Sequence, residues 1–117
     1  MSPQEFTLAL SANQPLDFED TIAVINAHFS YTPTQFKNGL SHTAVINEAG
    51  KNEGSCKIFY FAQLMQLNES KTLKCFGRFY QDVLNTPDGT DHMNIRNFMK
   101  DGWQGIAFAG VALQPKA

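Results

Sequence analysis

Cys56 is the first residue whose type and position suggest chemistry. It stands in the segment NEGSCK, residues 52–57, which is rich in small and turn-forming residues and runs directly into the apolar stretch IFYFAQL. With Ser55 as N-cap, Cys56 takes the first helical position, where unsatisfied backbone N–H groups and the helix dipole favour the thiolate. Lys57 adds a neighbouring positive charge. These features predict a nucleophilic cysteine; the alternative is a buried cysteine that acts as a small apolar side chain.

A candidate base for this thiol lies in the segment PDGTDHMNIRNFM, residues 87–99. The Pro-Asp-Gly sequence predicts a turn, and either Thr90 or Asp91 can cap the helix that follows it. His92 then falls in the first turn of that helix. Catalysis by a cysteine needs an imidazole within hydrogen-bond reach of the sulfur, and a third group that orients the ring.

The thiol of Cys56 and the ring of His92 meet this requirement if the two helix N-termini converge. Either Asp91 or Asn94 then supplies the third group. Asp91 is the weaker choice, because adjacent helical residues point about 100° apart. This pattern predicts a thiol hydrolase or acyltransferase; the alternative is that Asp91 caps the helix and His92 is a surface or hydrogen-bonded histidine.

A set of polar and amphipathic residues surrounds the same two helix starts. Its members are Asn52, Asn94, Arg96, Asn97 and Trp103. If the two segments adjoin, these side chains outline a polar pocket with an aromatic wall, which suits a small ligand or a peptide. The alternative is that they only cap helices and hydrogen-bond between them. The candidate ligand-binding residues are Asn52, Asn94, Arg96 and Trp103.

Composition and motifs argue against several other functions. The chain contains no His-Glu-x-x-His, no paired Cys-x-x-Cys and no calcium loop, so we predict no metal site. It also lacks the glycine motifs of nucleotide sites and the elbow of serine hydrolases, and no cofactor is expected. The net charge of −2, from 9 basic and 11 acidic residues, gives no attraction to nucleic acid or acidic membranes.

The elements that must position these residues follow from capping signals and hydrophobic spacing. Ser2, Pro3 and Glu5 form a capping box that starts a short first helix. Asp17 is the predicted N-cap of a second helix. The Asn-Gly pair at residues 38–39 then predicts a hairpin between short extended segments.

Three further helices are predicted after the hairpin. The one that starts near Ser55 carries apolar residues around most of its circumference, which indicates a central, buried helix. A single helix is predicted over residues 69–86, and the last runs from near Asp91 to Gly102. The whole chain, residues 1–117, is therefore predicted to be one compact, helix-rich α+β domain, with about five helices and two or three short strands.

Four segments of the chain resemble the HopJ type III effector family: NEGSCKIFYFAQL, TLKCFGRFYQDVL, PDGTDHMNIRNFM and GWQGIAF. The resemblance covers residues 38–116. It implies a bacterial protein related to an effector that a plant pathogen exports into host cells, and related sequences also occur in bacteria without that way of life. It implies no catalytic residue, substrate or cofactor for this chain.

The N-terminal segment bears on export. Type III export signals are flexible and poor in acidic residues, and Glu5 is the only acidic residue before Asp17. The capping box at residues 2–5 nevertheless predicts an ordered helix, without a separate disordered leader. Two cysteines are too few for a disulfide framework and fit a reducing compartment. The sequence thus predicts a resident cytoplasmic protein; the alternative is export by type III secretion.

The favoured hypothesis is a small soluble HopJ-like domain without established enzyme activity, which binds a small molecule or a protein partner. Neither nucleic acid nor membrane is expected as a partner. Two alternatives belong to other functional classes. One is a cysteine-nucleophile enzyme that uses Cys56 and His92, and the other is an exported effector that acts on host proteins.

Overall fold

Six α-helices and two small β-sheets form the structure, a computed structural model that describes residues 1–116. The helices are α1 (Pro3–Ser11), α2 (Phe18–His28), α3 (Glu53–Leu64), α4 (Glu69–Lys74), α5 (Arg78–Asn85) and α6 (Met93–Asp101), followed by a 3-10 helix at Gly102–Gly105. The strands are β1 (Phe29–Tyr31), β2 (Phe36–Asn38), β3 (Val45–Asn47), β4 (Ile106–Phe108) and β5 (Leu113–Pro115). The predicted helix-rich α+β class is confirmed. Ala117, the last residue of the predicted domain, lies outside the described range.

Both sheets are antiparallel. β1 pairs with β5, which joins segments far apart in sequence, and β2 lies between β3 and β4 in the three-stranded sheet. Within that sheet Phe36 of β2 stands opposite Asn47 of β3. The hairpin predicted from Asn38 and Gly39 therefore exists as β2–β3, although its loop, residues 39–44, is longer than a two-residue turn.

Aromatic rings fill the space between α3 and the elements around it. Phe59 and Phe61 of α3 are both fully buried. The ring of Phe59 contacts three others, with centroids 5.0 to 5.9 Å away: Phe36, Phe76 and Phe98. The ring of Phe61 meets two more edge to face: Phe6 and Phe29. Each such pair adds about 0.5–1.5 kcal/mol to the gain from burial, and the predicted central position of α3 is confirmed.

The first two helices begin where their capping signals predicted. Ser2 Oγ accepts a hydrogen bond from the backbone N–H of Glu5 at 3.0 Å, and Glu5 Oε1 accepts one from the N–H of Ser2 at 2.7 Å. Asp17 forms an equivalent box with Asp20 at the start of α2. Each box satisfies N–H groups that a helix start otherwise leaves without partners.

The helix predicted over residues 69–86 is divided at Gly77, which separates α4 from α5. Gly77 adopts φ +56° and ψ −127°, a conformation that residues with a Cβ avoid. The break brings the backbone N–H of Arg78 to Asp17 Oδ1, which accepts it at 2.9 Å. Asp17 thus caps α5 as well as α2, and this hydrogen bond lowers the pKa of its carboxyl. The prediction of one helix was wrong because a contact between distant segments ends it, whereas hydrophobic spacing is a local signal.

Two other helices begin at positions that differ from the prediction. α3 begins directly after Asn52 rather than after Ser55, and the N-cap of α6 is His92 rather than Thr90 or Asp91. Asn52 and His92 both adopt the left-handed conformation, with φ of 51° and 52°, and neither side chain accepts a capping hydrogen bond. Capping preferences miss such starts, because they describe N-caps with an extended backbone whose side chain binds the first turn.

Replacing Gly77 by alanine should lower the free energy of unfolding by about 3 kcal/mol, since a Cβ adds steric overlap to an unfavourable positive φ. That Cβ would lie 2.7 Å from Asp17 Cα. Gly50→Ala is the matched control: its φ is +87°, but nothing lies within 4 Å of the added carbon, so only the conformational cost of about 1–2 kcal/mol applies. Urea denaturation measures both. If both variants lose the same free energy of unfolding, the contact of residue 77 with Asp17 does not require glycine.

Candidate functional site

The first turns of α3 and α6 meet at an open groove of about 480 Å³. The groove is lined by residues of α2, β3, α3 and α6 and of the segment between α4 and α6. These residues are Phe18, Val45, Asn52, Gly54, Ser55, Phe76, Phe79, His92, Met93, Asn94 and Ile95. We call this surface the α3–α6 groove. The two helix starts on which the sequence-based hypotheses depend thus lie side by side.

One wall of the groove is a row of rings. The ring centroids of Phe18 and Phe79 are 5.0 Å apart in an edge-to-face pair, and those of Phe79 and His92 are 5.5 Å apart. A Cβ on Gly54 would lie 2.7 Å from Phe18 Cζ. The ring of Phe18 therefore packs directly against the first turn of α3, at a position where no side chain fits.

Backbone N–H groups without helical acceptors lie at both helix starts, whose first turns border the groove. In α3 the Cys56 N–H donates to the Asn52 carbonyl at 3.0 Å, and in α6 the first such bonds end on the His92 carbonyl. The N–H groups of residues 53–55 and 93–94 precede these bonds, and no side chain in the described part of the chain caps them. Such groups carry the partial positive charge of the helix dipole and favour a hydrogen-bond acceptor.

Asn52 and Asn94, two of the predicted ligand-binding residues, both line the groove. Their side chains are linked through Asn47 of β3, whose Oδ1 accepts from Asn52 Nδ2 at 2.7 Å and from Asn94 Nδ2 at 2.9 Å. Asn94 is 9% exposed and Asn47 only 1%. The hydrogen bonds that join the two helix starts therefore lie beneath the groove.

Arg96 and Trp103, the other two predicted ligand-binding residues, are not among those that line the groove. Arg96 donates to the Asp91 carboxylate at 2.7 Å and to the Thr86 carbonyl at 2.8 Å. Trp103 Nε1 donates to the Leu67 carbonyl at 2.9 Å. These hydrogen bonds hold the Arg96 guanidinium at the α5–α6 connection and the Trp103 ring at the α3–α4 connection.

His92 lines the groove, but its polar contacts are long. His92 Nε2 lies 3.8 Å from Asp91 Oδ2 and 4.0 Å from Asp82 Oδ2, and both distances exceed that of a hydrogen bond. Asp91 binds Arg96 instead, and that hydrogen bond lowers the pKa of the Asp91 carboxyl. His92 rather than Asp91 occupies the N-cap position of α6, and the ring of His92 contacts that of Phe79.

Cys56 is not among the residues that line the groove. It is 1% exposed, and Sγ donates to the Thr34 carbonyl at 3.5 Å. Burial raises the pKa of the thiol, which favours its protonated form. Ser55 lines the groove in its place, because neighbouring helical residues point about 100° apart. Within residues 1–116 no hydrogen bond joins Cys56 to His92.

Sequence reasoning did not identify the aromatic wall, Phe18 and Phe79, or Asn47 beneath the groove. Phe18 follows the N-cap of α2 and belongs to an apolar stripe at helical spacing, so the pattern assigns it to the core. Asn47 belongs to a segment where asparagine is typical of turns. Long-range packing, which no local pattern records, brings all three to the groove.

The residues that line the groove carry aromatic rings, an imidazole and carboxamides. Among residues 1–116 no three His, Cys, Asp or Glu side chains are grouped so as to hold a metal ion. Both cysteines, Cys56 and Cys75, are buried thiols. No helix in the described part of the chain has the length and apolar composition needed to cross a membrane.

Comparisons with other proteins extend the resemblance seen in the sequence. A family model for the HopJ type III effector protein matches residues 3–113, including most of the N-terminal segment outside the four resembling stretches. The crystal structure of a protein of unknown function, VPA0580, is 49% identical with a TM-score of 0.90, and the alignment covers 99% of this chain and 95% of that one. No curated protein matches the chain.

Cys56 should resist alkylation by iodoacetamide in the folded protein at neutral pH, because its sulfur is buried and its pKa is raised. The matched control places a thiol one residue earlier, as Ser55→Cys with Cys56 and Cys75 replaced by alanine. That thiol lines the groove and should react at least about tenfold faster. Mass spectrometry of samples quenched over time measures both rates. Fast labelling of native Cys56 would favour the thiol-enzyme hypothesis instead.

Proposed function

The chain belongs to the HopJ type III effector protein family, and we propose that it is a binding domain whose small-molecule ligand occupies the α3–α6 groove. The crystal structure that shares its fold is of a protein of unknown function. Support for the proposal therefore comes from the groove itself.

The observation that carries the proposal is the meeting of an aromatic wall with two helix starts across one groove. The groove volume of about 480 Å³ is within the range of small-molecule sites, about 300–1,000 Å³. Such sites combine apolar walls with a few polar groups that fix the orientation of the ligand. A ring that binds against Phe18 and Phe79 gains apolar burial and favourable ring–ring contacts.

The ligand needs a hydrogen-bond acceptor at its other end. The N–H groups of residues 53–55 and 93–94 are donors, and the side chain of Asn94 is already engaged with Asn47 and Asn38. A carboxylate or a carboxamide suits these donors. The proposed ligand class is therefore a small molecule with a ring-sized apolar body and a carboxylate or amide end.

A second groove, of about 500 Å³, lies between the α1–α2 connection and the α4–α5 junction, and it fits this role less well. Its cationic groups already have partners on the protein. Lys74 binds Asn13, and Arg78 binds both Asp17 and Glu19. A ligand there would have to compete with these contacts.

The thiol hydrolase or acyltransferase that uses Cys56 and His92 stays a prediction. It requires the Cys56 sulfur to reach the groove, on which His92 lies. Burial of the sulfur, its hydrogen bond to Thr34 and its raised pKa weigh against that reaction. Family membership supplies no substrate that would favour it.

Residence in the bacterial cytoplasm is part of the proposal, with export by type III secretion as the alternative. Family membership is the observation in favour of export. Against it, Phe6, Ala9 and Leu10 of α1 are buried in the core, so these residues are part of the folded domain. An export signal in this segment would have to leave the core before it could be recognised.

Ligand binding at the groove should be lost when the groove is filled. We expect naphthoate or its amide, at millimolar concentration, to raise the melting temperature of the wild-type protein, since ligands that bind the native state stabilise it. Ser55→Leu adds bulk to a lining residue without removing a core contact, and should abolish the shift. Differential scanning fluorimetry measures each shift relative to the ligand-free variant.

Gln63→Leu is the control for this experiment, because it places the same side chain at an exposed position of the same helix. It should leave the ligand-induced shift intact. The proposal is wrong for this ligand class if neither compound shifts the wild type, or if the shift survives Ser55→Leu unchanged.

The reporter fusion that tests export carries residues 1–117 ahead of an enzyme detected only inside host cells, so that α1 stays part of the folded domain. We expect no translocation by a bacterium with an active type III system, since α1 contributes three buried residues to the fold. A signal from a known effector, fused to the same reporter, is the positive control. Translocation of the fusion would establish export and contradict cytoplasmic residence.

A further inference from the structure

Asn47 of β3 lies at the base of the α3–α6 groove. Val45 lines the groove, and residues two positions apart in a strand face the same side. Asn47 Oδ1 accepts from Asn52 Nδ2 at 2.7 Å and from Asn94 Nδ2 at 2.9 Å. Asn47 Nδ2 donates to Asn94 Oδ1 at 3.0 Å and to the Phe36 carbonyl at 3.4 Å. All four hydrogen-bonding positions of its amide are occupied.

The two helix starts that border the groove have little local stabilisation. Asn52 and His92, their N-caps, have positive φ and provide no side-chain cap. Contacts from other elements must therefore place each first turn. Asn47 makes such contacts with both, since Asn52 precedes α3 and Asn94 lies in the first turn of α6.

We infer that Asn47 is the positioning residue of the groove. Its carboxamide fixes the distance and orientation between the first turns of α3 and α6, and through them the arrangement of N–H donors that a ligand meets. Its effect on binding rests on the proposed function; its effect on the two helix starts does not.

The other buried asparagines of this network each hold only one of the two helices. Asn38 Nδ2 donates to the carbonyl and side-chain oxygen of Asn94 in α6. Asn97, also in α6, donates to the carbonyls of Asn38 and Thr43 in the β2–β3 hairpin. Within residues 1–116, Asn47 is the buried asparagine whose side chain binds residues at both helix starts.

A carboxamide is the side chain that this position requires. Aspartate has the same shape but loses the two donors and brings a charge into a buried site, which is unfavourable without a cationic partner. Leucine keeps a similar volume but leaves Asn52 and Asn94 without their shared acceptor. A side chain that holds both helix starts must accept and donate at once.

Amide hydrogen exchange followed by NMR tests this role directly. The reporters are the N–H groups of Cys56 and Arg96, which donate to the N-cap carbonyls of Asn52 and His92 at 3.0 and 3.1 Å. Relative to the core amide of Phe61, Asn47→Ala should speed exchange at both by at least about tenfold. Asn97→Ala, which removes an equally buried asparagine, should leave Cys56 within about threefold of the wild type.

Asn52→Gly provides a variant that keeps the core, because Asn52 is exposed. Glycine accepts the positive φ of this position, so the variant removes the hydrogen bond from Asn52 to Asn47 without adding the strain that a Cβ would bring. It should speed exchange at Cys56 but not at Arg96. If Asn47→Ala does not fold, this selective effect still supports the positioning role. The role is overturned if exchange at Cys56 is unchanged in Asn52→Gly, or if it is equal in the Asn47 and Asn97 variants.

Titration with naphthoate then separates this inference from the proposed function. Asn47→Ala should bind naphthoate at least about tenfold more weakly than Asn97→Ala, a difference of about 1.4 kcal/mol. If naphthoate does not change the NMR chemical shifts of the groove amides in the wild type, the proposed function fails for this ligand class. Amide hydrogen exchange then still tests whether Asn47 positions the two helix starts. If the wild type binds naphthoate and the two variants bind it with equal affinity, Asn47 does not affect ligand binding, and that part of the inference is wrong.

Discussion

The packing of α3 among phenylalanine rings is the constraint on which the rest of the structure depends. Phe59 and Phe61 are fully buried among rings from the surrounding helices and strands. Backbone N–H groups without helical acceptors occur only in the first turn of a helix, and in α3 this turn lies outside the ring packing, at the surface. The groove lies at that turn, so the core that stabilises the fold also decides where a ligand can meet the backbone.

Local signals predicted the elements whose starts are fixed locally, and missed those that distant segments fix. Ser2 and Asp17 cap with their own side chains, and both helix starts were predicted correctly. Gly77 ends α4 because of a contact with the α2 start, and hydrophobic spacing carries no trace of that contact. Likewise, no local pattern distinguishes Asn47 from other polar residues beside a turn. Its role depends on long-range packing, which places it between two helix starts. The candidate site was therefore predicted at Asn52 and Asn94 but not at its aromatic wall.

A shift of three positions in one helix start changes the chemistry expected at Cys56. At the first position of a helix, its thiol would stand beside free N–H groups in the region of positive dipole charge. As the fourth residue of α3, Cys56 instead donates its own N–H to Asn52 and points its sulfur toward Thr34. Ser55, its neighbour, takes the place at the groove. The residue at which α3 begins thus decides whether the Cys56 side chain faces the solvent or the core.

Asp17 and Phe18 are consecutive residues that serve two different junctions. The Asp17 carboxylate caps α5 beside Gly77, while the ring of Phe18 rests on Gly54 at the groove. The start of α2 is therefore held at both junctions by two adjacent residues. A substitution that displaces the α2 backbone at this point would disturb two distant features at once, the cap of α5 and the aromatic wall of the groove.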